Sequence, residues 1–495
     1  MTALTAVRPP PHSPAERRPP RTVPWLVLVA VGYAALQLAL AVPHLGLGWD
    51  ETVYVSQVDP RNPAAWFSAP RSRGISLLAA PLLAVSGSTL ALRVFLALLS
   101  AAALYAAFAV WRPLLGAHRT ALAALLFGSL WITVLYGPQA MPNLWVALAT
   151  VAAVGWFLRA TSPVASRRCT LVGLAAAVAA ATLFRMPDGA WLALSLLVAW
   201  AVVPGWRRRP APALALVAGA ALGSAEWVVE AYARWGGIGA RLHVSSATEG
   251  GMGAHWAGGY ALRSLNGPLL CRPCHPGPPP HPALTLWWLA LPPLAAIACA
   301  VALRTPRPST TLLPVACAAA VSVQYLLLID YSAPRFLLPT YALLSLPIAA
   351  LAARTIGAIH HAPARVLVAA LLTALFAAHL AGQYAVLRHN ADDARITAAR
   401  YGTAADRLHA LGLRPPCLIT GKHALPVAYY AGCASAETVG NNRSTTTHAL
   451  LRRATHEPTA ALRPTGHAPP HYAHGWTAHR LRGTGWTAYL PQPGQ

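Results

Sequence analysis

Long apolar runs separated by short polar loops dominate the chain, at 23–42, 89–110, 120–136, 143–158, 169–184, 189–204, 211–229, 283–303, 311–329, 336–353 and 366–386. At 1.5 Å of rise per residue, runs near twenty residues match the thickness of a bilayer core. The pattern predicts an all-α polytopic membrane protein with about eleven transmembrane helices. One further run, 75–85, is apolar but too short to span, and is expected to lie at the interface or re-enter. Three connecting regions are long: 43–88, 230–282 and everything from 387 to 495.

Arginine sets the expected orientation. Arg8, Arg17, Arg18 and Arg21 precede the first run. Arg112 with Arg119, Arg159 with Arg167 and Arg168, Arg207 with Arg208 and Arg209, Arg304 with Arg307, and Arg354 with Arg365 then fill every second short loop. Basic residues concentrate on the cytoplasmic side of short loops. The N-terminus is therefore expected in the cytoplasm and the C-terminus outside, in the cell (plasma) membrane. The first run is near twenty residues, lacks a convincing small-residue cleavage site and is followed by further spans, so it reads as a retained helix and not a signal peptide. Residues 1–22 read as a disordered leader rich in Pro and Arg, 23–386 as the membrane domain, and 387–495 as a small extracytoplasmic α/β domain. In that last part a helical pattern covers 392–411, a strand 417–420 and a helix 427–430. The twin Trp-Thr-Ala at 476–478 and 486–488 reads as the two arms of one hairpin.

Composition sharpens the class. Of the 495 residues 56% are hydrophobic and 11% charged, which excludes an ordinary soluble enzyme. The net charge of +24 is scattered over short loops, so no nucleic-acid partner is expected. Lys422 is the sole lysine, and the Arg, Ala, Pro and Gly bias is that of a high-GC bacterial genome.

The acids carry the functional signal. In the expected topology Asp50, Glu51, Asp59, Asp188, Glu226, Glu230, Glu249 and Asp330 all fall at one face, and the loops at the other have none. Longer loops on one side account for part of this. They do not account for Asp50-Glu51, two adjacent carboxylates pressed against apolar Val53-Tyr54-Val55, which must repel and be partly desolvated. On a helix Asp50 and Tyr54 share a face while Glu51 points about 100° away, so one acid can meet a cavity and the other a metal, an Arg or a substrate hydroxyl. Arg71, Arg73, Arg185 and Arg335 sit at the same face, against the usual charge bias. Each either snorkels or pairs with an acid such as Asp188, or grips a phosphate with its fork.

Cys271-Arg-Pro-Cys274 is a single C-x-x-C, read as a disulfide before a metal site, and Cys417 with Cys433 can close a second bridge. Gly421-Lys422 lacks the upstream glycine of a Walker A loop, so ATP-driven transport is not expected.

Four motifs then point to a family. Gly48-Trp-Asp50-Glu51-Thr-Val-Tyr54 after the first helix resembles the Asp-Glu…Tyr motif in the first outer loop of GT-C membrane glycosyltransferases. The protein O-mannosyltransferases and the bacterial lipid A aminoarabinose and galacturonic acid transferases are the most similar in this respect. Ala69-Pro-Arg71-Ser-Arg73-Gly74, Tyr136-Gly-Pro-Gln-Ala-Met-Pro-Asn143 and Ala333-Pro-Arg335-Phe-Leu-Leu-Pro339 are similar to stretches those proteins carry, and the likeness covers about 25–386. The resemblance implies inverting transfer from a polyprenyl-phosphate sugar donor to an extracytoplasmic glycan, lipid or protein acceptor, beside membrane lipids. It implies Asp50 as general base, Glu51 as supporting acid or metal ligand, and Arg335 as a phosphate contact, with Tyr54, Arg71, Arg73, Arg185 and Asp188 as further substrate contacts. No cofactor is assigned, and a divalent metal ion is left open. The chain departs from its relatives at Arg71 and Arg73, and in its second long loop, which reads as irregular and bears Cys and His. A transporter or flippase of a lipid-linked or anionic solute would use the same acids as a proton relay, but calls for ionisable groups at midplane and matching halves. A non-catalytic scaffold or sensor would leave the acid pair and the arginines unexplained.

Overall fold

The structure, a computed structural model, describes residues 24–162, 167–272, 281–440 and 442–492. The leader expected at 1–22 and Cys274 lie outside these residues. All eleven apolar runs are helical. The first helix, Trp25–Leu36, continues through a π turn at Gln37–Ala41 and a 3-10 turn at Val42–His44. Among the described residues eight helices are long and apolar enough to cross a membrane. The other three runs are shorter: Ala117–Gly128 breaks before Trp131–Tyr136, and Arg167–Phe184 is divided from Met186–Val202 by Arg185 alone. The protein is a polytopic membrane protein.

Helix Pro142–Thr161 is the centre of the bundle, with Leu144, Ala147, Val151, Val154 and Phe157 buried all round, as an apolar helix without an amphipathic stripe must be. Small residues let other helices approach closely. Gly219 and Gly223, one turn apart on Pro210–Trp235, lie against the backbone of Ala175 and Ala179. A Cβ at Gly223 would sit 2.2 Å from the Ala179 carbonyl oxygen, the contact on which small-residue helix pairs depend.

Two expectations about the connecting regions are corrected. The span at 366–386 and the pattern at 392–411 are one continuous helix, Ala362–Ala410, of 49 residues. At 1.5 Å per residue it is roughly 70 Å long, so it leaves the bilayer as a rod and the boundary expected at 387 falls inside it. The second long region is not irregular throughout, since it carries helices Ile238–Thr248 and Gly258–Ser264. The short apolar run at 75–85 is helix Gly74–Leu83.

The C-terminal part builds a five-stranded sheet from β1 (Leu418–Gly421), β2 (Ala434–Ala436), β3 (Thr459–Pro464), β4 (Thr477–Leu481) and β5 (Trp486–Leu490), in the order β2-β1-β3-β5-β4. β1 pairs parallel with both β2 and β3, while β5 pairs antiparallel with β3 and β4. The repeated Trp-Thr-Ala segments are indeed the arms of one hairpin, with Ala478 opposite Tyr489. Cys417 and Cys433 form a disulfide that ties the start of β1 to the start of β2. Cys271 is also disulfide-bonded.

Replacing Gly223 with Val forces its helix off Arg167–Phe184, and overpacking of this kind costs about 1–3 kcal/mol. The expected outcome is a melting temperature several degrees lower in detergent, whereas Gly205→Val, where a Cβ meets nothing within 4 Å, leaves it unchanged. Equal melting of the two variants would show that the close approach does not matter.

Candidate active site

The acidic helix Trp49–Ser56 has eight residues. Gly48 supplies an extended N-cap, and its N–H donates to Glu51 Oε2 at 3.0 Å. Both acids stand in the first turn, where the helix dipole favours negative charge. The helix then separates them.

Glu51 points into the protein and is 3% exposed. Arg93, fully buried at 0% exposure, grips both its oxygens: Nη1 donates to Oε1, and Nη2 to Oε2 at 2.8 Å. The Ala140 N–H adds a bond of 2.7 Å to Oε1. Arg93 spends its other N–H groups on the carbonyls of Leu45, Gly46 and Pro138. Three segments remote in sequence, 45–51, Arg93 and 138–140, thus meet at one ion pair.

Asp50 faces a cavity of about 1220 Å³, with Tyr54 on the same side. Its carboxylate accepts from Arg71 Nη2 at 2.8 Å and from Arg335 Nη2 at 3.1 Å. Burial pushes the Asp50 carboxyl up, but Arg71 and Arg335 together outweigh it and hold the group below its ordinary value. Arg71 also lies over the Tyr54 ring at 4.9 Å. Arg335, brought in by the turn Pro334–Leu337, donates to the Leu269 carbonyl at 2.8 Å, while its buried Nε has no hydrogen-bond partner among the described residues.

The loop that carries Arg71 is itself clamped. Arg241, fully buried, donates to the carbonyls of Ala69 and Arg71, each at 3.0 Å, and to Glu230 at 2.9 Å. Gly74, at the end of this loop, passes so close to helix Arg167–Phe184 that a Cβ would lie 2.6 Å from the Leu183 carbonyl.

The four sequence motifs converge on the one cavity: Asp50 and Tyr54, Arg71, Tyr136 with Gln139 and Asn143, and Arg335 all line it. Arg185 lines it as well and is held by Asp188 at 2.8 Å. Two expected substrate contacts are placed elsewhere. Arg73 turns away to pair with Glu230 at 2.7 Å and Glu226 at 3.4 Å. Asp188 is buried behind Arg185 and accepts from Tyr325 Oη at 2.7 and 2.8 Å. The expectation that Glu51 ligates a metal does not fit either, because its oxygens are already taken by a guanidinium and two backbone N–H groups. Asp50 is bracketed by two cations, and among the described residues no three His, Cys, Asp or Glu side chains gather as a metal site. This donor set suits an anion, not a divalent cation.

Arg93 and Arg241 were missed in the sequence. Arg93 could have been found as a lone charge five residues into an apolar span, a position that demands a buried partner. Arg241 offered no such signal in its mixed surroundings.

The fold can be compared at this point with known structures. No protein-family model matches the chain, and no curated protein matches it in sequence. ArnT of Cupriavidus metallidurans bound to undecaprenyl phosphate superposes with a TM-score of 0.67 at 15% identity, over 94% of this chain and 98% of that one. The chain has the GT-C fold. The Archaeoglobus fulgidus oligosaccharyltransferase tethered to an acceptor peptide is also similar, with a TM-score of 0.51 at 13% identity over 89% of this chain and 69% of that one. The same archaeal enzyme in complex with an inhibitory peptide and a dolichol-phosphate gives 0.50 at 12% identity over the same shares. Within this GT-C chain the charged cavity lies where the ends of the membrane helices meet the C-terminal sheet, as its lining from both parts requires.

Breaking the Glu51–Arg93 pair strands a buried charge, which costs about 3–5 kcal/mol. Arg93→Met is therefore expected to lower thermal stability steeply. The double variant Arg93→Met/Glu51→Gln is expected to recover part of the loss, because no uncompensated charge remains. Additive losses in the double variant would refute the coupling.

Proposed function

We propose that this protein is an integral membrane glycosyltransferase that moves a sugar from a polyprenyl-phosphate donor to an acceptor hydroxyl, with inversion. The observation that carries the proposal is the Asp50 carboxylate held between Arg71 and Arg335 at the wall of a large cavity, in a fold matched over nearly its whole length by ArnT bound to undecaprenyl phosphate. The cavity end of the bundle faces outward from the plasma membrane and the N-terminus faces the cytoplasm, in keeping with the arginine-rich loops at the opposite end.

In this mechanism Asp50 is the general base. The acceptor oxygen attacks the anomeric carbon, the bond from that carbon to the phosphate oxygen breaks, and Asp50 takes the hydroxyl proton. Arg335 and Arg71 stabilise the departing phosphate, whose negative charge grows as the bond breaks. The free N–H of Arg335 Nε is a donor that a phosphate oxygen would satisfy. An Asp50 held by two cations is a weak base. Once a phosphate shares the two guanidiniums, the carboxylate regains basicity, so the base is released as donor binds. Glu51 is a positioning residue that fixes the helix bearing Asp50, and Arg185 is a further donor contact held by Asp188. The donor sugar can be a hexose or a pentose. A transporter is disfavoured because, among the described residues, these buried ionisable groups pair with one another at one end of the bundle and form no relay through it.

Transfer from polyprenyl-phosphate sugars to envelope acceptors should fall about 10²–10⁴-fold in Asp50→Asn at matched expression, the range general bases supply. Undiminished transfer by the variant would remove Asp50 as base.

A pH profile tests the electrostatics. The base works only when ionised, so the acid limb of kcat/KM should lie below the ordinary carboxylate value near 4. Arg71→Gln removes a cation that lowers the Asp50 pKa, and its acid limb should move to higher pH. A limb that stays in place would show that Arg71 does not govern the base.

A further inference from the structure

The C-terminal sheet meets the cavity with the same edge throughout. In the order β2-β1-β3, the connection from β1 leads to β2 on one side, whereas the chain after β3 continues to β5 and β4 on the other. The carboxyl ends of β1 and β3 therefore flank a topological switch point, where parallel sheets open a crevice for ligands. The residues at this edge are the ones that line the cavity: Lys422 and His423 after β1, Glu437 and Asn442 after β2, and Arg463 near the end of β3. The strands are locked in register there. Gly421 stands opposite Leu462, and the Lys422 N–H donates to the Leu462 carbonyl at 2.8 Å, so Lys422 and Arg463 are neighbours across the pair. Gly421 has φ +87° and a Cβ would lie 2.4 Å from the Leu462 carbonyl oxygen, so only glycine makes this turn.

The side chains at this edge are rich in unused donors. Among the described residues neither Lys422 nor Arg463 has an ion-pair partner, and Arg463 donates only its Nε, to the Ala468 carbonyl at 3.3 Å. Asn442 is 5% exposed, and its Nδ2 has no hydrogen-bond partner among the described residues. A buried amide nitrogen left unpaired is unfavourable unless something in the cavity accepts from it. Burial without a cation beside it pushes the Glu437 carboxyl up to about 8. At neutral pH it is thus a protonated donor that adds no negative charge. Tyr472 closes the group, its hydroxyl 3.1 Å from Thr420 Oγ1 at the end of β1.

We propose that the carboxyl ends of β1, β2 and β3 form an anion-binding subsite, built from Lys422, Arg463 and Asn442, that holds an acidic group on the acceptor glycan. The assignment as acceptor rests on the glycosyltransferase reading, in which the donor phosphate occupies Arg71 and Arg335 on the membrane side of the same cavity. The charge recognised is a phosphate or a carboxylate carried by a sugar. The subsite selects acidic over neutral acceptors and sets them on the sheet side of Asp50.

The test is equilibrium dialysis of the full-length protein in detergent at neutral pH against radiolabelled glucose 6-phosphate, glucuronate and glucose, with undecaprenyl phosphate binding measured in parallel. Glucose 6-phosphate or glucuronate should bind at least tenfold more tightly than glucose, and whichever binds better names the anion. Lys422→Met/Arg463→Met should lose at least tenfold in that affinity while undecaprenyl phosphate binding stays within twofold. Arg71→Gln/Arg335→Gln should do the reverse. Equal binding of glucose and both anions, or wild-type anion affinity in the Lys422 and Arg463 double variant, would overturn the proposal. Should that double variant lose both ligands, Asn442→Asp decides: it places a negative charge in the crevice, and an unchanged anion affinity would overturn the subsite. Loss of undecaprenyl phosphate binding from the wild type, with sugar anions still held by Lys422 and Arg463, would sink the donor reading and leave the anion site standing.

Discussion

The buried pair of Glu51 and Arg93 is the constraint on which the site depends. Burying two charges is expensive, and the protein does so without leaving a polar group of either side chain idle: the guanidinium answers to Glu51 and three backbone carbonyls, the carboxylate to Arg93 and two backbone N–H groups. Such a pair adds little to stability compared with an apolar core of the same shape, but it fixes geometry. The bonds join three separate stretches of chain, so the acidic helix, the turn before it and the Pro138–Ala140 turn can share only one arrangement. Asp50 is aimed into the cavity because its neighbour cannot move.

A second clamp does the same for the positive side. Arg241 and Glu230 hold the loop through Ala69 and Arg71 from below, and Arg73 pairs with Glu230 to complete the grip. Arg73 and Arg241 are therefore structural, whereas Arg71, Arg185 and Arg335 are left to face the cavity. The C-terminal domain is fixed to the same frame. Tyr430 Oη accepts from the Leu47 N–H at 2.9 Å, Tyr429 Oη donates to Asp59 at 2.6 Å, and the long helix Ala362–Ala410 packs its Ala398 against Gly46. The sheet edge that bears Lys422 and Arg463 is in this way held over the helix that bears Asp50.

Much of this was legible from residue patterns. Apolar length gave the helices, and turn spacing gave the closing hairpin, because each is set by local chemistry. The division of labour between Asp50 and Glu51 followed from the 100° step of a helix once the helix was assumed. What pairs with what was not legible. Arg71 and Arg73 are two residues apart with similar surroundings in sequence, yet one meets Asp50 and the other Glu226 and Glu230, a choice made by helix Pro210–Trp235 some 150 positions later. The unbroken helix across 387 was missed for a different reason: its apolar half and its polar half have different solvents, so the pattern changes where the backbone does not. Strand β2 was missed because it has only three residues, and β3 because it is alanine-bearing, with little of the β-branched signal that marks a strand.

The charge balance around Asp50 gives the proposed chemistry a direction. Asp50 with Arg71 and Arg335 carries one net positive charge, and Arg185 with Asp188 carries none. A lipid-linked sugar donor is a phosphodiester with a single negative charge, which this balance neutralises. Breaking the bond to the sugar converts the diester into a monoester with a second negative charge, while the proton released by the acceptor neutralises Asp50 and frees both guanidiniums. The site therefore holds the product side of the reaction, and the transition state that leads to it, more strongly than the starting donor, which is the differential that accelerates a chemical step. The same balance retards departure of the lipid phosphate. Release is eased when the proton on Asp50 passes to the phosphate and the carboxylate returns to its two arginines, so the triad of Asp50, Arg71 and Arg335 is the arrangement that ends each turnover.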